Sequence, residues 1–229
     1  MRRFDPRLVC TAAILAAAVA APRAAQAQVE IITSLTSLPS SSAFTEVDLS
    51  NELGSTGFTL PGGAGGVAFN VATNQGVVTG AMGGLYADPI TGETSGGQAI
   101  PYVGNYFSTG DGTITFSYTQ NQSALALLWG SVDPGNTITL MENGSTVGVI
   151  TGNQITQNPN GGQGFGGSFF VELISGLPFN EVVVSDTQPS FEFAEFESAP
   201  TSSNIPEPAS LAAMGVGLLA LAGLRRRRA

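Results

Sequence analysis

From Ala24 to Leu224 the chain contains no lysine, arginine or histidine. All eight basic residues are arginines, at Arg2, Arg3, Arg7, Arg23 and Arg225 to Arg228. Of the 17 acidic residues, only Asp5 and Glu207 fall outside Val29–Asn204, so that span carries a net charge of about −15. A fold built from such a stretch has no salt bridge to draw on. Cys10 is the single cysteine, so disulfides do not contribute either. Stability must come from a buried apolar core and neutral hydrogen bonds, and roughly 175 residues suffice to build one. The same feature removes whole classes of function. A body without cations cannot neutralise phosphates, which excludes nucleic-acid binding and lysine-dependent phosphate loops. Histidine-dependent catalysis is excluded with them.

Short β-branched and aromatic runs punctuated by Ser, Thr, Gly, Asn and Gln predict an all-β fold, an antiparallel β-sandwich spanning 28–200. The best-defined unit is "NTITLMENGSTVGVITG". Its Asn143-Gly144 pair suits a two-residue hairpin turn in which both positions need positive φ. Placing Glu142 opposite Ser145 predicts Leu140 across from Val147 and Ile138 across from Val149, all four on one face. Ile114, Phe116 and Tyr118 alternate with polar residues as in a half-buried strand, and Ser123–Trp129 is apolar on both faces, as in a central strand. Asp133-Pro134-Gly135-Asn136 reads as a turn. Phe169–Ile174, Glu181–Ser185 and Phe191–Glu197 complete the strands expected in this half. In "SFEFAEFESA", Phe196 falls out of phase with Phe191 and Phe193, and a bulge at Ala194-Glu195 returns it to the core side. Glycine-rich "LPGGAGGVAFNVATNQGVVTGAMGGLYADPITGETSGGQ" is expected to add two or three short strands around long loops. No boundary divides the body into two domains.

The ends are of a different kind. Met1–Ala27 has a positive n-region, an apolar run from Leu8 to Ala21 and the small residues Ala25-Gln26-Ala27, the three parts of a secretory signal peptide. Cleavage by signal peptidase is expected after Ala27, making Gln28 the first mature residue. At the other end a polar tether, 201–205, leads to the segment 206–229. There Pro206-Glu207-Pro208 is followed by 16 residues, Ala209 to Leu224, and then by Arg225, Arg226, Arg227 and Arg228. As a single helix that apolar run is about 24 Å long, short of the roughly 30 Å hydrocarbon core but within reach of snorkelling arginines. The arginines mark the cytoplasmic side. A permanent single-span anchor is one reading. The two prolines, which forbid helix and strand, favour an extended segment that a protease can reach.

Together Pro206-Glu207-Pro208, the apolar run and Arg225–Arg228 resemble a PEP-CTERM sorting signal, the substrate of exosortase-type membrane transpeptidases. The resemblance covers about 25 residues. It implies an exported protein, first anchored in the inner membrane through its C-terminal helix and then delivered to the surface or exterior of a Gram-negative cell, often in association with exopolysaccharide and biofilm. In the body, "LLWGSVDPGNTITLMENGSTVGVITG" with "FEFAEF" is similar to a group of exosortase-dependent surface proteins sharing a jelly-roll-like β domain. That likeness spans about 80 residues and transfers no catalytic residue.

The remaining motifs favour structural readings. Gly162-Gln163-Gly164-Phe165-Gly166-Gly167 spells G-x-G-x-x-G, but no strand precedes it and a strand-like "SFFVELI" follows, so it reads as a loop. Carboxylates are the only catalytic groups left, making a two-carboxylate glycosidase the sole enzyme hypothesis. Glu192, Glu195 and Glu197 look instead like a solvated strand edge, and no enzyme is expected. No cofactor is expected beyond calcium, for which Asp111 and Asp133 are the candidate ligands, with turn-capping the favoured role for both. Trp129 falls in phase with Leu125 and Leu127 and is assigned to the core, while Tyr86, Tyr102 and Tyr106 are the candidates for a sugar-stacking surface. The expected role is structural or adhesive, in the envelope or extracellular matrix; a carbohydrate-binding module for exopolysaccharide is the alternative.

Overall fold

Strand follows strand along the chain because the apolar residues recur with period two and are bounded by turn formers. The computed structural model describes residues 28–34, 37–38, 43–73, 75–90, 104–164, 166–188 and 190–201. Among the described residues eleven strands run in order: β1 (Val29–Ser34), β2 (Thr45–Glu46), β3 (Gly57–Thr59), β4 (Gly65–Asn70), β5 (Gly76–Thr79), β6 (Asn105–Ser108), β7 (Thr113–Trp129), β8 (Thr137–Glu142), β9 (Ser145–Thr151), β10 (Phe169–Ser185) and β11 (Glu192–Pro200). The only helices among the described residues are a 3-10 turn at Pro61–Gly63 and a single α-helical turn, α1 (Gly152–Ile155). The signal peptide and the C-terminal apolar segment lie outside the described residues.

Two 17-residue strands organise the sandwich. The first part of β7, Thr113 to Ser117, pairs with β4 on one side and with Ser185 to Glu181 of β10 on the other. Its second part, Ala124 to Trp129, pairs with Ile174 to Phe169 of β10 and with β11. Both strands therefore cross from one layer to the other. One layer runs β1–β10–β7–β11–β6–β5, with β2 against the end of β11; the other runs β3–β4–β7–β10–β8–β9. All pairings are antiparallel, as a sandwich requires. Thr113–Thr119 and Ser123–Trp129 read as separate segments in the sequence, as do Phe169–Ile174 and Glu181–Ser185. In each case the backbone continues between them, and β10 does so through register shifts on either side of Phe179.

The core lies between the layers. Leu125, Leu127, Trp129, Val171 and Leu173 come from one inner face; Ile114, Phe116, Ile138, Leu140 and Val182 come from the other. Burying each such side chain contributes about 1.5–3 kcal/mol. Stacked rings run through the centre, with Phe116 on Phe196 at 4.0 Å, Trp129 on Phe191 at 4.5 Å and Phe107 on Phe193 at 4.7 Å between centroids. Trp129 is thus in the core, its indole N–H donating to Asn136 Oδ1 at 2.9 Å.

The bulge expected in β11 is present. Ala194 pairs with Leu128 and Glu197 with Ala126, so Glu195 and Phe196 together face Leu127. Glu195 takes φ +46°, and Phe191, Phe193 and Phe196 all lie in the core. The β8–β9 hairpin needs a correction. Its Asn143-Gly144 turn has φ +50° and +78°, and Glu142 pairs with Ser145. Beyond Thr146, however, a second bulge at Val147 moves the register by one, pairing Leu140 with Gly148 and Ile138 with Ile150. Val147 and Val149 share a phase that leaves the larger Ile150 outside. The bulge buries Val147 and Ile150 together and sends Val149 to solvent, 43 % exposed.

Candidate functional site

The outer face of the layer containing β11 is covered, and the covering makes a cleft beside it. Glu192 and Ala194 alternate with Phe191 and Phe193 and so point away from the main core. With Val78, Tyr106 and Leu128, Ala194 forms a second apolar cluster roofed by Tyr86, Ile90 and Phe170. The segment 80–90 is laid across this face by three polar contacts. The Tyr106 hydroxyl donates to the Gly80 carbonyl, Ser168 Oγ donates to the Pro89 carbonyl at 2.6 Å, and the Ala87 N–H donates to Glu192 Oε1 at 3.0 Å. Gly130 permits the approach, because a Cβ there would lie 2.4 Å from Pro89 Cα.

Glu192 is 2 % exposed. Its Oε1 accepts from Ser190 as well as from Ala87, and its Oε2 accepts from Ser131, a residue held at φ +41°. Burial pushes this carboxyl above the usual range, and the hydrogen bonds oppose the rise. Beside it opens a cleft of about 300 Å³, lined by Tyr86, Ser131, Asp133, Gln163, Ser190 and Glu192 among others. On the far side of Tyr86 a wider groove of about 590 Å³ runs along β5, past the exposed Leu53 and Met82.

A second polar knot closes the neighbouring turn. Asp133 Oδ1 accepts from the N–H groups of Gly135 and Asn136 at 2.7 and 3.2 Å, which establishes the expected turn. Asn136 is fully buried; its oxygen takes the Trp129 indole and the Asp133 N–H, and its amide donates to Asp186 Oδ2 at 2.8 Å. Asp186 is pushed up to about 6, chiefly by burial with Asp133 adding to it, although the backbone N–H groups of Gln188 and Thr187 pull it down.

The sequence candidates fare differently. Tyr86 keeps part of its ring open to the cleft, edge-on to Tyr106 at 6.3 Å. Tyr106 is completely buried, so it offers no stacking surface, because the 80–90 segment covers its strand. Tyr102 lies outside the described residues, as do Ala25, Ala27, Pro206, Glu207, Pro208 and Arg225–Arg228; Gln28 accepts a backbone hydrogen bond from Gly176 at 3.2 Å. Asp111 is an exposed turn residue before β7, whereas Asp133 lies past the far end of that strand. The two are not brought together, and no group of three metal-ligating side chains occurs among the described residues. Glu192 was expected on a solvated edge; instead it is buried. Glu195 and Glu197 are partly buried, and burial together with the nearby Glu46 raises both. Only the phase of Glu192, opposite to that of the phenylalanines, was visible in the sequence, and phase does not reveal what covers an outer face.

Chemically, the cleft contains two carboxylates, Asp133 and Glu192, and no cation. Both Glu192 oxygens are occupied by donors from three different segments, so this carboxylate works as a clamp on the fold. Among the described residues no helix is long and apolar enough to cross a membrane. No curated protein and no solved structure matches the chain, so the jelly-roll likeness of the body finds no counterpart there. One family model does match, that of the PEP-CTERM protein-sorting motif over residues 204–228, and the chain therefore carries the signal by which exported surface proteins are delivered to an exosortase.

Proposed function

We propose that the chain is a structural or adhesive component of the envelope or extracellular matrix, without enzymatic activity. Signal peptidase removes 1–27, the segment 206–229 holds the precursor in the inner membrane, and an exosortase-type transpeptidase processes it near Pro206–Pro208. The sandwich, 28–200, is the part delivered. One observation carries the non-enzymatic reading: the side chains best suited to chemistry, Glu192, Asp186 and Asn136, are spent on internal hydrogen bonds that hold loops to the sheet. Cells with and without the chain test the adhesive role. Loss of cohesion or of matrix retention is expected without it, and unchanged cohesion removes the role.

A second reading is favoured by the cleft beside Tyr86, where an aromatic ring, an amide and hydroxyls converge as they do in saccharide sites. With about 15 acidic groups and no cation in the body, the matching glycan is neutral, since an acidic one would be repelled. Retention of the 28–204 domain on the cell's own exopolysaccharide, lost in Tyr86→Ala, would support it. Calcium at Asp111 or Asp133 would appear as heat and a raised Tm on titration.

A further inference from the structure

Removal of 1–27 gives the body the one positive charge it can carry. The whole chain has no lysine, and 28–204 has no arginine or histidine. After signal-peptidase cleavage the α-amino group of Gln28 is therefore the sole cation and the sole primary amine of the sandwich. The fold leaves this group unengaged. Gln28 is exposed and stands one residue outside β1, whose first pair is Val29 opposite Ser175. The Gln28 carbonyl accepts from the Gly176 N–H at 3.2 Å, yet no hydrogen bond among the described residues takes up its nitrogen or its side-chain amide. Opposite it stands a glycine. A Cβ on Gly176 would lie 3.2 Å from the Gln28 oxygen and 3.9 Å from its nitrogen, so its absence leaves room beside both. Among the described residues β1 pairs with β10 alone, so the start of the strand is open on its other side as well.

An N-terminal glutamine with a free amine and an unbonded amide contains both partners of a ring closure. The neutral α-nitrogen attacks Cδ of the side chain. A new C–N bond closes a five-membered lactam, the Cδ–Nε2 bond breaks, and Nε2 leaves as ammonia with one proton taken from the amine. No oxidant, reductant or second substrate is needed. α-Amino groups have a pKa of about 7.7–8.0, so the attacking form is present near neutral pH, and the attack is intramolecular. Pairing through the nitrogen would hold the reacting atoms apart; here pairing begins only at the carbonyl of the same residue.

We infer that Gln28 is a modification site, converted to pyroglutamate, so that the delivered sandwich begins with a lactam and carries neither amine nor cation. The inference rests on cleavage after Ala27 and adds what becomes of the end so exposed. Outside the cell such a domain offers no lysine or arginine to trypsin-like proteases and no amine to aminopeptidases, which suits a matrix protein. Protein recovered from the cell surface or medium, denatured and treated with an amine-reactive ester, reads the group directly, because the chain has no lysine to compete. No label is expected, and the intact mass should be that of a chain beginning at Gln28 less one ammonia. Gln28→Asn, whose shorter side chain cannot close a five-membered lactam, should leave Tm unchanged and take up one label per chain. A chain beginning at Gln28 with its full mass and one label overturns the ring closure while leaving the cleavage reading intact. An unlabelled Gln28→Asn chain overturns it too, since another group would then block the amine. A chain that begins at any other residue overturns the cleavage reading, and the inference with it.

Discussion

The two faces of the layer containing β11 are held down by different physics. Its inner face is apolar, and stacked rings from Phe107, Phe116, Phe193 and Phe196 fill the space between the layers. Its outer face is a small cluster, Val78, Tyr106, Leu128 and Ala194, under a segment pinned by a carboxylate and hydroxyls. Dispersion and burial do not depend on pH, whereas a buried carboxyl does. In a body with no cation to pair with it, Glu192 is stabilised only by dipoles. The inner face therefore sets whether the domain folds, and the outer face sets how firmly the 80–90 segment and its cleft are closed.

The largest effect should come from the inner face. Phe196→Ala opens a cavity beneath the β11 bulge and should cost about 3–5 kcal/mol in urea unfolding of the 28–204 domain. A loss under 1 kcal/mol would mean the rings are not packed as described. On the outer face, Glu192→Ala orphans Ser131, Ser190 and the Ala87 N–H and should cost about 2–3 kcal/mol. Limited proteolysis should then cut within 80–90, while Glu192→Gln, which keeps the shape, should cost under about 1 kcal/mol. Equal costs for the two substitutions would erase the distinction between the faces.

Proton linkage separates the faces next. Glu192, Asp186, Glu195, Glu197, Glu172 and Asp88 are all raised by burial, Asp186 to about 6. A raised carboxyl binds its proton more tightly in the native state, so stability falls as pH rises through the native value and is regained as pH falls towards the unfolded one. Asp48, lowered by its hydrogen bonds to Ser50, runs the other way but is fully exposed. Tm should climb between pH 8 and pH 5, and Glu192→Gln should flatten that climb; a Tm that falls over this interval contradicts the reading. The smallest effect belongs to the bulge. Glu195→Gly removes a side chain from φ +46° and from its repulsion with Glu46, and should stabilise by about 0.5–1 kcal/mol.

How much of this was legible depended on how local the cause was. The Asn143-Gly144 turn, the Asp133 turn and the β11 bulge each follow from residues within a few positions of one another, and each was readable. The Val147 bulge was not, because whether Val149 or Ile150 faces inward is decided by the core. The continuity of β7 and β10 was hidden for a related reason. Phe169–Ile174 and Glu181–Ser185 read as two strands, yet the register shifts around Phe179 carry one strand through and bury that ring completely. Glu192 was missed because its partners come from Ser131, Ser190 and Ala87, and only the fold brings the last of these, 105 residues away, to its carboxylate. The sorting signal, needing no fold to be read, was the clearest feature of the chain.

The intact mass and location of the protein in cells with and without the exosortase decide whether the C-terminal segment is a removable address. With the enzyme, the expected product is a surface or released species beginning at Gln28 and lacking the Arg225–Arg228 cluster; without it, a species that keeps its C-terminal segment in the inner membrane. A full-length, membrane-retained chain in both strains would contradict it.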